Sequence, residues 1–251
     1  MRLENKVVII TGASSGLGKE AAALFAEHGA KVVAVARRKN NLEELAEETK
    51  DFSGEVIPYQ GDVGNGEEIK GIVAFALEKY GKIDVLINNA GIIDEHMTAV
   101  DMTDEMWDRV VNINLTAPMK LTREVLPAMI KEGKGNIINI SSVGGLNGGR
   151  GGAAYVSTKH GLIGLTKNTG FVYADKGIRC NALCPGTVPT EIAGTNPPNE
   201  LGLSKIMSGF GNAPRVGTAD EVANILLFLA SDESSFVNGV ALVADAGWTA
   251  Y

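Results

Sequence analysis

The stretch Val7-Val-Ile-Ile-Thr-Gly-Ala-Ser-Ser-Gly-Leu-Gly18 decides the fold. Its β-branched start predicts a buried strand, and the alanine-rich pattern at 19–28 predicts a helix that ends at Gly29. The glycines between them let the backbone turn tightly and approach a ligand closely. The helix would direct unpaired N–H groups and its positive dipole end into this turn. The context predicts a phosphate-binding turn, although an ordinary glycine-rich βα turn would look similar.

Short apolar runs alternate with helical patterns along the rest of the chain. Further strands are predicted at 31–36, 56–59, 83–87, 136–140, 178–183 and 240–243. Helices are predicted at 40–50, 67–80, 153–175 and 219–230, with a longer one that Thr103 caps and that continues towards Met129. Buried strands alternating with helices imply a parallel sheet covered on both faces, hence a doubly wound α/β sheet. The sequence contains no linker or repeat, so we expect one domain over 1–251.

Composition excludes several classes of protein. The chain has 251 residues, 45% hydrophobic and 21% charged, as is ordinary for a globular protein. A net charge of −7 without a basic stripe makes nucleic acid a poor candidate partner. No apolar run approaches the ~20 residues of a membrane span and the start does not resemble a signal peptide, so we expect a soluble cytoplasmic protein without a membrane partner. Cys180 and Cys184 are expected to be reduced thiols in a packed strand.

Tyr155-Val-Ser-Thr-Lys159 carries the chemistry that the sequence indicates most clearly. Its two ends lie one helical turn apart and share a helix face. A nearby ammonium favours the phenolate, so the pattern predicts a pKa for Tyr155 below the ordinary ~10 and proton transfer near neutral pH. Such a pair also arises by chance. The catalytic interpretation is favoured by the glycine turn and by Ser142, which lies thirteen residues upstream of Tyr155.

The glycine turn has the spacing Gly-x-x-x-Gly-x-Gly, and Asn88-Asn-Ala-Gly91, Tyr155-x-x-x-Lys159 and Pro185-Gly186 follow it in that order. With these motifs the chain resembles the short-chain dehydrogenase/reductase family, in its single-domain branch, from Lys6 to about Trp248. The resemblance implies a Rossmann-like domain that binds a nicotinamide dinucleotide. It also implies an enzyme that interconverts an alcohol and a ketone without a metal, and a homotetramer.

The resemblance further implies which residues contact the cofactor. Asp62 and Val63 match the adenine-contacting pair, and Val188 and Thr190 match contacts with the nicotinamide carboxamide. The whole set is Gly12, Ser14, Ser15, Gly16, Leu17, Gly18, Arg37, Arg38, Asp62, Val63, Asn89, Ala90, Gly91, Tyr155, Lys159, Pro185, Gly186, Val188 and Thr190.

The end of the second predicted strand, Ala34-Val-Ala-Arg-Arg38, indicates which dinucleotide is bound. An acidic residue there would accept hydrogen bonds from the ribose 2′-hydroxyl of NAD, but position 36 is alanine. Two arginines follow, and guanidinium groups match phosphate geometry. We therefore expect NADP(H) to be preferred over NAD(H), with Arg37 as the main 2′-phosphate contact and Arg38 and Ser14 assisting. The arginines could instead be a solvated surface pair.

Four residues fall in register with the family's proton-transfer group. Tyr155 would protonate the alkoxide left by hydride transfer, and in reverse its phenolate would take the alcohol proton. Lys159 would hold the nicotinamide ribose, and Ser142 would form a hydrogen bond with the substrate oxygen. Asn114 would hold a water in the proton relay, whereas Asn112 is off the family register. Each side chain alone fits a structural role, but their joint register favours catalysis.

The sequence indicates less about the substrate. Six glycines in 143–152 predict a pocket wall with few side chains and room for a hydroxysteroid, a bile acid or another bulky secondary alcohol. Arg150 could meet a carboxylate, although a solvated arginine is an alternative. Lys134 and Lys176 could instead guide an acidic carrier protein, as in 3-oxoacyl reductases of the family. The irregular, proline-rich segment 189–214 is predicted to be a substrate lid.

Two other functions stay open: a non-catalytic NADP-binding regulator, and a lyase or dehalogenase on the same scaffold. The intact proton-transfer set argues against the first, and the intact cofactor turn argues against the second. Two positions depart from the family pattern. Ala246 stands where glycine is common, which puts the local turn in doubt. Val172 stands where a glutamate is common, and its apolar side chain fits burial against a second subunit.

Overall fold

The computed structural model of the chain describes residues 1–189, 191–193 and 196–250. Within these ranges the strands are β1 (Val7–Thr11), β2 (Lys31–Ala36), β3 (Glu55–Gln60), β4 (Val85–Asn88), β5 (Gly135–Ile140), β6 (Ile178–Pro185) and β7 (Ala241–Ala244). All pair in parallel, in the order β3-β2-β1-β4-β5-β6-β7. The direction of winding reverses between β1 and β4, so a crevice opens beyond their carboxyl ends. The predicted doubly wound sheet is confirmed.

Helices cover both faces of the sheet. They are α1 (Gly16–Glu27), α2 (Lys39–Glu48), α3 (Gly66–Tyr80), α4 (Asp104–Val111), α5 (Ala117–Glu132), α6 (Ala153–Val172), α7 (Glu200–Ser208) and α8 (Ala219–Ala230). One apolar cluster joins α1, α2 and α8 to the sheet, and a second joins α3 and α5 to its other face. Because the strands are buried from both sides, their sequences are continuous apolar runs.

The helix predicted from Thr103 towards Met129 is three consecutive pieces. Thr103 caps it as expected, since its hydroxyl oxygen accepts a hydrogen bond from the amide of Met106 at 3.2 Å. After α4 the backbone widens into a π-helical turn, Asn112–Thr116, and then continues as α5. Pro118 near the start of α5 has no amide hydrogen to donate to the preceding turn, which favours such a widening.

The segment 189–214 differs from the irregular structure expected of it. It contains α7 and short 3₁₀ turns at Glu191–Ala193 and Phe210–Asn212. The expectation missed the cap of α7, where the side chain of Asn199 accepts a hydrogen bond from the amide of Gly202 at 2.9 Å. The prediction that this segment is a lid stays untested by its secondary structure.

Several smaller expectations concern buried or strained positions. Cys180 and Cys184 are free, buried thiols in β6, and burial raises the pKa of Cys180 to about 12. Ala246 adopts a φ of +56°, so the turn keeps a left-handed conformation that glycine would adopt without strain. Among the residues that the structure describes, none of the helices is both long and apolar enough for a membrane span.

Candidate active site

The glycine turn between β1 and α1 has the geometry of an anion cradle. Gly12 and Gly16 have φ values of +69° and +52°, which side chains other than glycine rarely adopt. A Cβ at Gly18 would lie 2.3 Å from the carbonyl oxygen of Gly12, so only glycine fits there. Ser15 stands at the N-cap of α1 without a side-chain capping bond. No side-chain cap therefore competes for the first amides of the helix, which fit a phosphate group.

Thr11 and Asn89 lock this turn to the loop after β4. The Asn89 side-chain amide donates to the carbonyl oxygens of Thr11 and Gly12 at 2.8 and 3.2 Å. The Thr11 hydroxyl oxygen accepts from the amides of Asn89 and Ala90 at 3.0 and 3.1 Å. Asn89 thus fixes the turn from the side, and Thr11, which the motif spacing did not single out, fixes both loops.

A cavity of about 830 Å³ lies over these loops at the carboxyl edge of the sheet. Its volume and polar glycine-lined wall fit a dinucleotide. Of the predicted cofactor contacts it is lined by Gly12, Ser14, Ser15, Gly16, Leu17, Arg37, Arg38, Asp62, Val63, Asn89, Ala90 and Gly91. Gly18 lies behind the turn, where it allows the close packing described above.

The loop after β3 closes one end of this cleft. The Asp62 carboxylate accepts a hydrogen bond from the amide of Gly64 at 2.8 Å, and the Asn112 side chain donates to the Gly64 carbonyl oxygen at 3.0 Å. Asn112 belongs to the π-helical turn, so this turn reaches the adenine end of the predicted cofactor site. Sequence reasoning gave Asn112 no role because it is off the family register.

Arg38, rather than Arg37, lies across the glycine turn. Its guanidinium donates to the hydroxyl oxygens of Ser14 and Ser15 at 3.0 and 2.7 Å, and to the Glu191 carboxylate at 2.7 Å. The hydrogen bond from Arg38 holds the pKa of Glu191 below its ordinary value. Arg37 is exposed and lines the same cavity. The structure therefore groups Arg38, Ser14 and Ser15 into one polar cluster, and a direct role for Arg37 stays a prediction.

The predicted proton-transfer residues meet beyond the carboxyl end of β5. Tyr155 lies in the first turn of α6, and Lys159 follows one turn later with its Nζ 5.6 Å from the centre of the Tyr155 ring. Lys159 is buried and donates to the Ile140 carbonyl oxygen at 2.7 Å. A Cβ at Gly144 would lie 3.3 Å from the Tyr155 ring and 3.4 Å from the Ser142 hydroxyl oxygen, so ring and hydroxyl border the same space.

The electrostatics of this group differ from the sequence prediction. Burial raises the pKa of Tyr155, the hydrogen bond with Ser142 opposes this rise, and the charge of Asp94 adds to it. The predicted lowering is therefore wrong for the free protein, because burial outweighs the other effects on the phenol. The Lys159 ammonium, which was expected to lower this pKa, is directed at the Ile140 carbonyl oxygen. Burial also lowers the pKa of Lys159 to about 8.

Asn114 joins the π-helical turn to the loop after β4. Its side-chain oxygen accepts from the amide of Ile92 at 2.9 Å, and its side-chain nitrogen donates to the Ile92 carbonyl oxygen at 2.8 Å. A Cβ at Gly91 would lie 3.5 Å from both Asn114 Oδ1 and Lys159 Nζ, which places the three together. Asn114 thus clamps the loop beside Lys159, and the predicted water relay stays a prediction.

The glycine-rich segment 143–152 presses directly on the Tyr155 ring. A Cβ at Gly151 would lie 2.5 Å from the ring, so a side chain there would displace it. The Arg150 guanidinium lies 4.0 Å from the centre of the Trp248 ring. A Cβ at Gly209 would lie 2.2 Å from the Arg150 guanidinium, so Arg150 also borders the chain just after α7. Arg150 is thus packed rather than freely solvated.

The remaining predicted contacts lie elsewhere or are not described. Pro185 ends β6, and Gly186 and Val188 line a second cavity of about 530 Å³ beside α8. Thr190 lies outside the described residues. Lys134 precedes β5 and Lys176 precedes β6, at the amino edge of the sheet and opposite the cleft.

Comparisons with known proteins identify the family to which the chain is similar. The sequence profile of the short chain dehydrogenase family matches residues 6–201. The chain is 44% identical over 249 residues to the 3-oxoacyl-acyl-carrier-protein reductase FabG of Thermotoga maritima, covering 98% of this chain and 99% of that protein. It is 39% identical over 251 residues to 3beta-hydroxysteroid dehydrogenase 2 of Eggerthella lenta, covering 99% and 96%.

Solved structures show the same fold. Levodione reductase superposes with a TM-score of 0.89 at 33% identity, covering all of both chains. A protein described as a candidate NAD(P)-dependent gluconate 5-dehydrogenase from Beutenbergia cavernae was solved with NADP at low occupancy. It superposes with a TM-score of 0.87 at 33% identity, covering 99% of this chain and 98% of that one.

Proposed function

The chain belongs to the short-chain dehydrogenases, and from that premise we propose that it is an NADP-dependent oxidoreductase that interconverts a bulky secondary alcohol and its ketone, with Tyr155 as general acid and base. The observation that carries the proposal is the meeting of Tyr155, Ser142 and Lys159 around Gly144. These three side chains do not line the large cavity themselves, but Lys159 lies beside Gly91, which does. The proposed reaction involves no metal, because a side-chain hydroxyl supplies the proton.

Each residue has a separate task in this proposal. The nicotinamide supplies or accepts the hydride when it is bound. Tyr155 Oη donates its proton to the substrate oxygen during reduction and takes a proton from the alcohol during oxidation. The Ser142 hydroxyl forms a hydrogen bond with the same oxygen. Lys159 would hold the cofactor ribose, and Asn114 holds the loop beside Lys159.

The preference for NADP rests on the cluster at the other end of the cleft. Position 36 offers no carboxylate to a 2′-hydroxyl, and Arg38 already holds two serine hydroxyls in a polar cluster that suits a phosphate. A 2′-phosphate there would compete with the Glu191 carboxylate for one face of Arg38. We assign the main phosphate contact to Arg38, with Ser14, Ser15 and Arg37 beside it.

The proposed substrate class follows from the pocket wall. Gly144 and Gly151 pack against the Tyr155 ring and contribute no side chain to the wall beside it. The hydroxysteroid dehydrogenase and levodione reductase among the similar proteins carry names of cyclic ketones or alcohols, which supports a bulky cyclic substrate. We propose that α7, the described helix of segment 189–214, covers this pocket because it ends against Arg150.

A second candidate substrate is a 3-oxoacyl thioester on a carrier protein, favoured by the 44% identity to the Thermotoga maritima reductase. The two lysines predicted to guide such a carrier do not support it. Lys134 pairs with Asp232 and Lys176 with Asp175, and both precede strands at the edge of the sheet remote from Tyr155. A carrier would therefore need another docking surface.

We further propose a cytoplasmic homotetramer. Phe171 and Val172 at the end of α6 are 86% and 50% exposed, and Asn238 donates to the Gly170 carbonyl oxygen beside them. Phe236, two residues before Asn238, is fully exposed. An apolar patch of this kind is commonly buried by a second copy of the chain.

The test is a panel of cyclic ketones, small ketones and a 3-oxoacyl thioester, each assayed with NADPH and NADH by the change in nicotinamide absorbance. We expect turnover of the cyclic ketones with NADPH and lower kcat/KM with NADH. Preference for the thioester would select the second candidate. Tight NADPH binding without turnover of any compound would instead indicate the non-catalytic regulator.

A further inference from the structure

Asp94 is a buried carboxylate to which the proposed reaction assigns no task. It lies in the loop after β4, and its side chain has no solvent exposure. Its Oδ2 accepts a hydrogen bond from the amide of Tyr155 at 2.9 Å. Its Oδ1 is buried and has no hydrogen-bond partner among the residues that the structure describes. Burying a charged oxygen without a partner is costly, so this placement calls for a compensating reason.

The carboxylate occupies the N-terminus of the catalytic helix. Gly152 is the N-cap of α6 and contributes no side-chain capping bond. A Cβ at Gly152 would lie 2.2 Å from Asp94 Oδ1, so glycine is required to admit the carboxylate. Asp94 thus caps α6 from a different loop, and the positive end of the helix dipole favours its charge.

Strained backbone holds Asp94 in this place. Glu95 and His96 have φ values of +54° and +59°, which are uncommon for residues other than glycine. The Met97 carbonyl oxygen accepts from the amide of Ala153 at 2.9 Å, so the loop is attached to α6 on both sides of the strain. Left-handed residues of this kind persist only where surrounding contacts enforce them, and they concentrate at functional sites.

The same loop is attached to the cap of α7. The Glu95 carbonyl oxygen accepts from the amide of Asn199 at 2.8 Å, and Asn199 caps α7. A Cβ at Gly202 would lie 1.8 Å from the His96 carbonyl oxygen, so the loop and α7 are in tight contact. The loop from Asp94 to Met97 therefore joins the start of the catalytic helix to the helix proposed to cover the substrate.

Few other titratable groups face the Tyr155 phenol. Lys159 lies one turn along the same helix and directs its ammonium at the Ile140 carbonyl. Cys184, on β6, is a thiol whose pKa is raised by burial. Ser142, after β5, contributes a hydroxyl. Among the described residues the charge of Asp94 raises the pKa of the phenol, and Cys184 adds a smaller rise.

We propose that Asp94 is a positioning residue for Tyr155: its carboxylate fixes the first turn of α6, and its charge opposes loss of the phenol proton. This inference rests on the proposed function of Tyr155 as general acid and base. The free protein would then hold the hydroxyl as a proton donor, which favours reduction, and oxidation would need a higher pH.

Asp94→Asn tests the charge separately from the cap, because the amide oxygen can still accept from the Tyr155 backbone. Loss of the charge should lower the pKa of Tyr155, so the step in the pH profile of kcat/KM that reports Tyr155 ionisation, its limb, should move to lower pH. As the pH rises, alcohol oxidation would then begin at a lower pH than in the unaltered protein. Ketone reduction, which needs the protonated phenol, would also start to fall at a lower pH. The KM for NADPH should stay unchanged.

Asp101→Asn is the matched control, since Asp101 lies close by in the chain but is exposed and accepts from Thr98 and Asn199. It should leave the limb in place. If Asp94→Asn fails to fold, Asp94→Ser keeps an acceptor for the helix amide and removes the charge. A folded neutral variant whose limb coincides with that of the unaltered protein would overturn the proposal, since a purely structural role lowers activity at every pH.

A second measurement separates this proposal from the proposed function. Ultraviolet titration of each protein against its Tyr155→Phe counterpart reports the ionisation of Tyr155 without any substrate. A lower Tyr155 pKa in Asp94→Asn supports the electrostatic role even if no ketone is turned over. An unchanged Tyr155 pKa would contradict that role even in an active enzyme.

Discussion

The two ends of the cleft differ in how far their charges are removed from water. At the end near Tyr155, where we propose that the nicotinamide binds, Lys159 and Asn114 are 3% and 1% exposed. At the adenosine end the side chains of Arg38 and Glu191, which form an ion pair, are 49% and 64% exposed. Solvent and salt screen an exposed pair, whereas a buried group acts at close to full strength. The enclosed end is therefore suited to proton transfer, and the open end to a graded choice between two cofactors.

The two ends of the cleft also differ in how tightly their residues are held in place. Around Tyr155, the glycines leave no space for a Cβ, and Asn114 and Asp94 each fix a neighbouring backbone segment. Around Arg38 the ion pair with Glu191 joins two long, exposed side chains, and only the hydrogen bonds to Ser14 and Ser15 tie Arg38 to the glycine turn. Substitutions at the enclosed end should therefore have large effects, and those at the open end should have small ones that depend on salt.

The largest effect is expected from Tyr155→Phe, which removes only the hydroxyl. General acid catalysis contributes about 10²- to 10⁴-fold, so kcat/KM should fall by that order in both directions. The dissociation constant for NADPH, measured by quenching or enhancement of nicotinamide fluorescence, should change little. Tyr173→Phe, which removes the same hydroxyl at the C-cap of the same helix, is the matched control and should keep full activity. Retained turnover in Tyr155→Phe would remove Tyr155 from the reaction.

A smaller effect is expected from Arg38→Ala at the open end. Losing an exposed charge-assisted contact with the 2′-phosphate should reduce the ratio of kcat/KM for NADPH to that for NADH by about tenfold. The reduction should shrink as salt is added, because the contact is screened.

Two neighbouring variants sharpen this result. Lys39→Ala removes an exposed cation that is paired with Glu43, and it should leave the cofactor ratio unchanged. Arg37→Ala tests the contact that the sequence favoured. If Arg37→Ala reduces the NADPH-to-NADH ratio of kcat/KM more than Arg38→Ala does, the sequence prediction for Arg37 is correct. If neither variant reduces this ratio, the 2′-phosphate binds elsewhere.

The comparison also explains what the sequence could predict. Local motifs could be recognised in the sequence because they need particular residues at fixed spacing. The glycine turn and the placement of Tyr155 and Lys159 on one face of α6 are of this kind. The alternation of apolar runs with helical patterns likewise predicted a parallel sheet with helices on both faces.

Features that depend on contacts distant in the chain could not be predicted. Asp94 caps a helix that begins about sixty residues later, as the separation of 61 between Asp94 and Tyr155 shows. Arg38, and not Arg37, donates hydrogen bonds to Ser14 and Ser15 because of the direction that its side chain takes. The raised pKa of Tyr155 comes from burial, which neighbouring residues in the sequence do not report. The helix α7 went unrecognised because its segment is rich in proline and glycine.

The most direct test of the central claim is a crystal structure of the protein with NADPH. We expect the nicotinamide ring beside Tyr155, with Lys159 Nζ within hydrogen-bond reach of its ribose and the 2′-phosphate against Arg38. A nicotinamide ring remote from Tyr155 and Lys159 would contradict the account, leaving a nucleotide-binding scaffold without the proposed chemistry.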